Sequence, residues 1–89
     1  MENDLQPVTI YSTRMCGYCD RAKALLETRQ VPYTEILVDA DPARRVEMEQ
    51  KCGGCRTVPQ IFIGNHHVGG FRELYLLDRT GELDPLLHG

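Results

Sequence analysis

Cys16-Gly17-Tyr18-Cys19 sets two thiols one helical turn apart, directly after the apolar run Val8-Thr9-Ile10-Tyr11 and directly before a helical pattern. Thiols at this spacing close a disulfide and reopen it, so the pair reads as a redox dithiol. A strand that ends in a short polar turn and then starts a helix puts Cys16 at the helix N-terminus. Unpaired backbone N–H groups and the helix macrodipole favour negative charge there. The thiolate of Cys16 is thereby stabilised, which suits a sulfur that must both attack and leave. Cys19 is then the resolving thiol. A second pair, Cys52-Gly53-Gly54-Cys55, repeats the spacing. The four cysteines together have the formal pattern of a structural zinc site, since four thiolates in a tetrahedron bind zinc strongly. A whole strand and helix lie between the pairs, more than a zinc ribbon spans, so Cys52 and Cys55 read as a second, regulatory dithiol or as tolerated thiols. His66 and His67 are neighbours on a short strand, point to opposite faces and read as surface histidines.

The elements that position these groups follow from periodicity. Val8 to Tyr11 is a strand, and Ala22, Leu25 and Leu26 recur at helical spacing through about Arg29. Val31-Pro32 ends that helix, because a residue before proline is disfavoured in the α region, and Tyr33 to Val38 is a second strand. The unit is βαβ, parallel and right-handed. Asp41-Pro42 starts a helix with an acid at the cap and proline at the first helical position, running to about Lys51. Gly53-Gly54 breaks it. Gln60-Ile61-Phe62-Ile63 and His66-His67-Val68 then flank Gly64-Asn65 as an antiparallel hairpin. A leucine-rich helix from Phe71 to about Arg79 follows, and Leu83, Leu86 and Leu87 make a last helical face. The order is β-α-β-α-β-β-α. Asp78, Glu82 and Asp84 read as solvated charge, and Leu74 to Leu87 as core rather than a partner surface.

The chain's 89 residues suit one small domain over 1–89, with its chemistry near the surface. Hydrophobic residues at 42%, charged residues at 26% and the lack of a long apolar run describe a soluble globular chain without a membrane role. A net charge of −3, with arginines and lysines spread along the sequence, offers no basic block for nucleic acid. The polar, acidic start Met1-Glu2-Asn3-Asp4-Leu5-Gln6-Pro7 lacks the features of a secretory signal, so cytoplasmic residence is expected. In a reducing compartment Cys-x-x-Cys pairs are catalytic or metal-binding more often than structural.

This element order, with Cys16-Gly17-Tyr18-Cys19, Thr57-Val58-Pro59-Gln60-Ile61-Phe62-Ile63 and Gly69-Gly70-Phe71-Arg72-Glu73-Leu74, closely resembles the glutaredoxin family over nearly the whole chain. The resemblance implies an α/β, thioredoxin-like fold, a four-stranded mixed sheet flanked by helices. It implies glutathione as reductant, glutathionylated or disulfide-containing proteins as partners, and Cys16 and Cys19 as catalytic thiols. It further implies a cis peptide before Pro59 and a glutathione lying along Thr57, Val58 and Pro59 like an added strand, walled by Tyr18. The γ-glutamyl end is then held at Gly70, Phe71 and Arg72. The chain departs from the family at three places. Arg72 stands where an acidic or small polar residue is common, leaving Glu73 to meet the γ-glutamyl ammonium. Thr13 stands where a lysine is common, leaving the glycyl carboxylate to Arg14 or Lys51. Gly17 replaces the common proline. Some family members with glycine after the first cysteine carry a [2Fe–2S] cluster between two subunits, ligated by the residue matching Cys16 and by glutathione. The resemblance therefore implies an oxidoreductase, with a cluster-bridged dimer as the alternative. Without a cluster a monomer is expected, because no feature of the sequence marks a large exposed apolar patch beyond core needs.

Overall fold

In the computed structural model, residues 5–89 are described; the sequence reading of residues 1–4 lies outside them. The elements are β1 (Val8–Ser12), α1 (Gly17–Thr28), β2 (Thr34–Leu37), α2 (Pro42–Lys51), β3 (Gln60–Ile63), β4 (His66–Gly69), α3 (Phe71–Thr80) and α4 (Leu83–Leu87). The strands form one sheet in the order β2-β1-β3-β4. β1 runs parallel to β2 and antiparallel to β3, and β3 pairs antiparallel with β4. The sheet is therefore mixed, as expected for a βαβ unit joined to a hairpin.

Alternation along the two central strands sorts their side chains into two cores. Val8, Ile10, Ile61 and Ile63 join Ala22 and Leu26 of α1, Leu74 of α3 and Leu83 and Leu87 of α4 on one face. Tyr11 and Phe62, their rings edge to face at 5.7 Å, join Met48 of α2 and Val38, which follows β2, on the other. Helices thus cover both faces, and all four residues of β3 are buried.

The end of the chain differs from the sequence expectation, which has a single helix after β4. Gly81 adopts a left-handed conformation at φ +78°, and the Glu82 N–H reaches back to the Leu77 carbonyl at 2.9 Å. This closure stops α3, and Leu83 opens a separate short helix, so the order is β-α-β-α-β-β-α-α. The end of α1 also has its own device. Gln30 takes the left-handed conformation at φ +59°, and the Val31 N–H donates to the Leu26 carbonyl at 2.9 Å, so the helix is closed before Pro32 is reached. Asp78, expected to be solvated, instead accepts two hydrogen bonds from the Arg29 guanidinium at 2.7 and 2.9 Å and ties α3 to the end of α1.

Candidate thiol site and its groove

Cys16 is the N-cap of α1, with an extended backbone, and its sulfur accepts the Cys19 N–H at 3.1 Å. A sulfur here satisfies one of the orphan N–H groups of the helix as a serine or aspartate cap does. Cys19 follows one turn later on the inner side of the helix and is fully buried, whereas Cys16 is half-buried. Burial, then its hydrogen bond with Cys16, pushes the Cys19 thiol up to about 12, against smaller opposing contributions from the Thr13 backbone and Lys23. Cys19 therefore stays a thiol at neutral pH and Cys16 is the accessible sulfur. Both expected thiols are brought together by the first turn of one helix.

The Val58–Pro59 peptide is cis, and the Val58 carbonyl oxygen lies 3.9 Å from the Cys16 sulfur. The Val58 N–H has no backbone partner among the described residues, and Pro59 has no N–H to offer, so this edge of the chain is open. An open groove of about 700 Å³ runs from Thr57, Val58 and Pro59 to Gly70, Phe71 and Arg72 at the start of α3. Tyr18, 61% exposed, forms one wall and stacks on Phe71, with ring centroids 6.4 Å apart. Phe71 in turn meets Tyr75 at 5.9 Å, so three aromatic rings follow one another along that rim. Seven residues named from the sequence as glutathione contacts thus line one groove, although they come from three separate segments.

Arg14 and Lys51 are not among the groove-lining residues. Arg14 pairs with Asp39 through its Nε at 3.2 Å, and its own backbone N–H donates to the same carboxylate. The Lys51 ammonium sits over the Phe62 and Tyr11 rings at 5.4 and 5.9 Å. Glu73 faces the groove but accepts the Gly70 N–H at 2.8 Å, a cap on α3. The N–H groups of Phe71 and Arg72 occupy the first two helical positions, where no intrahelical acceptor exists.

Four further residues that sequence reasoning passed over contribute to the groove: Cys55, Gln60, His67 and Tyr75. Gln60 donates to the Thr57 carbonyl at 3.0 Å and meets the His67 ring nitrogen at 2.7 Å, while His67 stacks on Phe62 at 4.8 Å. His67 is exposed, as the sequence reading has it, and its ring also contacts the groove wall. One signal for Gln60 was present, a lone amide in the otherwise apolar run of β3. Behind the thiols, Ser12 is fully buried and donates to Glu35 at 2.5 Å, and Lys23 donates to the same carboxylate at 2.8 Å. The Lys23 hydrogen bond, followed by that of Ser12, holds the Glu35 carboxyl below the usual carboxylate range.

Cys52 and Cys55 are joined to each other as a disulfide, with Cα atoms 5.7 Å apart. Among the described residues no three potential metal ligands converge at one point. Nor is any described helix long and apolar enough to cross a membrane.

Comparison with known proteins agrees with this geometry. The glutaredoxin family model matches residues 8–68. The chain is 49% identical over 83 residues to the glutaredoxin of Pseudomonas aeruginosa, covering 93% of this chain and 98% of that one. The solution structure of glutaredoxin from Brucella melitensis superposes with a TM-score of 0.83 at 45% identity, over 97% of this chain and 92% of that one. A crystal structure of the buckwheat glutaredoxin–glutathione complex superposes with a TM-score of 0.82 at 35% identity, over 92% of this chain and 76% of that one. The matched residues 8–68 hold both thiols and Pro59, the fold superposes over nearly its whole length, and the chain belongs to the glutaredoxin family of thiol–disulfide oxidoreductases.

Proposed function

We propose that the protein is a glutathione-dependent oxidoreductase acting on protein–glutathione mixed disulfides and on protein disulfides. The observation that carries this reading is the 3.9 Å approach of the Cys16 sulfur to the Val58 carbonyl at one end of a groove that ends at the free N–H groups of α3. An extended tripeptide thiol fits that run. Its cysteinyl main chain pairs with Val58, its γ-glutamyl carboxylate meets the Phe71 and Arg72 N–H groups, and Tyr18, Thr57, Pro59 and Gly70 form the walls. Its glycyl carboxylate meets Arg14 or Lys51 only where one of them leaves its present partner, Asp39 for Arg14 and the Tyr11 and Phe62 rings for Lys51. The buckwheat protein, solved with glutathione, supports the choice of ligand.

The Cys16 thiolate attacks the glutathione sulfur of a glutathionylated protein, the protein thiol leaves, and Cys16 holds glutathione as a mixed disulfide. A second glutathione attacks that sulfur, frees Cys16 and departs as glutathione disulfide. With a protein disulfide, Cys16 forms the mixed disulfide with one substrate sulfur. Cys19 then gives up its proton, attacks the Cys16 sulfur and releases the substrate dithiol, leaving a Cys16–Cys19 disulfide for two glutathiones to reduce. The test is glutathione-coupled turnover of a glutathionylated peptide and of a disulfide protein by three forms of the enzyme. Cys16→Ser abolishes both activities, whereas Cys19→Ser keeps the first and loses the second; loss of both in Cys19→Ser overturns the assignment.

A cluster-bridged dimer is the second reading, favoured by Gly17, above which no heavy atom stands within 4 Å of where a Cβ would be. Cys16 is the one ligand this chain would bring, since Cys19 is buried, and glutathione would bring another. Visible absorbance and dimeric mass after anaerobic reconstitution with iron, sulfide and glutathione support that reading. A colourless monomer rules it out.

A further inference from the structure

We propose that Cys52 and Cys55 are a second redox centre, a disulfide that persists when Cys16 and Cys19 are reduced and that braces the wall of the groove. The structure holds one pair as a disulfide and the other as free thiols. Three independent features explain that difference and give it a consequence.

The backbone is built for closure. α2 ends with the Gly53 N–H on the Gln50 carbonyl at 3.5 Å and the Gly54 N–H on the Glu49 carbonyl at 2.7 Å. That helix ending needs one left-handed residue, and Gly53 supplies it at φ +72°. Gly54 is a second, at φ +105°, which helix termination does not require. Nothing lies within 4 Å of a Cβ placed on either glycine, so packing does not demand them. The second positive φ instead turns the chain back over the end of α2 and returns Cys55 to Cys52.

The two pairs also sit at opposite helix ends. Cys16 caps the N-terminus of α1, where its reduced sulfur accepts the Cys19 N–H at 3.1 Å at the positive end of the helix dipole. Cys52 caps the C-terminus of α2, with the Met48 carbonyl oxygen 2.9 Å from its sulfur and 4.0 Å from that of Cys55. Carbonyl oxygens and the negative helix end disfavour a thiolate there, and the adjacent Lys51 ammonium is directed over the Tyr11 and Phe62 rings. Stabilising the reduced form makes a disulfide more oxidising, so Cys16–Cys19 is reduced first and Cys52–Cys55 last.

Cys55 lines the groove, and only Arg56 and Thr57 separate it from Val58. Cys52, Cys55 and Val58 pack together against the core that contains Met48 and Phe62. The disulfide therefore anchors one end of the strip that presents Val58, with the Arg45 guanidinium on the Arg56 carbonyl at 3.3 Å as the neighbouring tie. Reduction by a dithiol runs in two balanced steps. Its thiolate attacks the groove-side Cys55 sulfur, and the Cys52 sulfur leaves with the bonding pair and takes a proton. The second thiol of the reductant then closes its own disulfide and expels Cys55, which takes the other proton. Two electrons and two protons enter the pair, and the strip is released.

Trypsin cuts after Arg14, Arg21, Lys51 and Arg56, so each pair lies on its own peptide and the wild-type protein reports both. The protein is equilibrated across reduced-to-oxidised dithiothreitol ratios, alkylated, digested and weighed. Cys52–Cys55 is expected to need a ratio about tenfold or more above that which reduces half of Cys16–Cys19. Hydrogen exchange at the Cys52 and Gly54 amides, which donate to the Met48 and Glu49 carbonyls at 3.1 and 2.7 Å, measured in Cys16→Ser/Cys19→Ser at both states of the remaining pair, is expected to quicken about threefold or more on reduction. Failure of the disulfide to form, reduction of the two pairs together or in reverse order, or unchanged exchange overturns the proposal. The effect on turnover, a higher KM at unchanged kcat when the pair is reduced, rests on the glutathione reading above. The two readouts here use no glutathione, so absence of turnover counts against that reading alone.

Discussion

Cys16 and Cys19 share a helix turn and differ in solvent, and that difference orders their chemistry. In the proposed mechanism the outer sulfur meets substrate, while the inner one is held as a thiol by burial until a mixed disulfide forms beside it. The spacing of the two cysteines was legible in the sequence because three residues make nearly one helical turn. The contacts of Arg14 and Lys51 were not, since a long cation on a loop or helix end takes whichever acceptor or ring the fold brings near. Glu35 was unremarkable in the sequence and becomes the anchor of Ser12 and Lys23 beneath the site. Its carboxyl is depressed in the folded protein, so the stability it contributes is complete above the ordinary carboxylate range and is lost as pH falls through the folded value. Chemical denaturation of Glu35→Gln should show lower stability than wild type at pH 7. It should also show a shallower loss below about pH 4, where wild type protonates. Parallel curves for the two proteins would contradict the depressed carboxyl.

The helix ends decide how the elements turn. Proline marked the end of α1 in the sequence, but Gln30 and Val31 close that helix ahead of it, with Val31 buried against the core. The leucine spacing from Leu74 to Leu87 reads as one apolar face and is split by Gly81 into α3 and α4. Periodicity survives such a break because both pieces bury leucines in the same core. Gly81→Ala should cost about 1 kcal/mol in urea denaturation, since alanine must adopt the left-handed conformation there with no neighbouring atom to gain or lose. Turnover should stay unchanged, because Gly81 lies at the far end of α3 from the groove. An unchanged denaturation midpoint would mean that the turn relaxes at no cost.

At the scale of the whole molecule, the sheet brings together segments that are distant in the chain. The groove combines Tyr18 from α1, the strip around Pro59 before β3 and the turn from β4 into α3. α1 and α3 meet on one face of the sheet, and Leu26 sits fully buried in the core they share. Leu26→Ala should destabilise the protein by about 2–5 kcal/mol in urea denaturation, as loss of a fully buried leucine leaves a cavity between rigid elements. If α1 is held chiefly by this core, glutathione-coupled turnover should also fall at temperatures well below unfolding. A loss below about 1 kcal/mol would show that neighbouring side chains collapse into the space.

The sequence by itself determined the dithiol and the strand and helix order up to α3, because each depends on spacing along the chain or on a strong local preference. The cis peptide before Pro59 followed only from the family resemblance, since local preference favours trans. Tertiary structure alone decided that Cys55, Gln60 and His67 belong to the groove and that Cys52 and Cys55 are paired. It also decided that Asp78 is tied to Arg29 and that the final leucines form two helices. Those outcomes depend on which side chains the twisted sheet and its helices bring within a few ångströms of one another, a distance that no one-dimensional pattern carries.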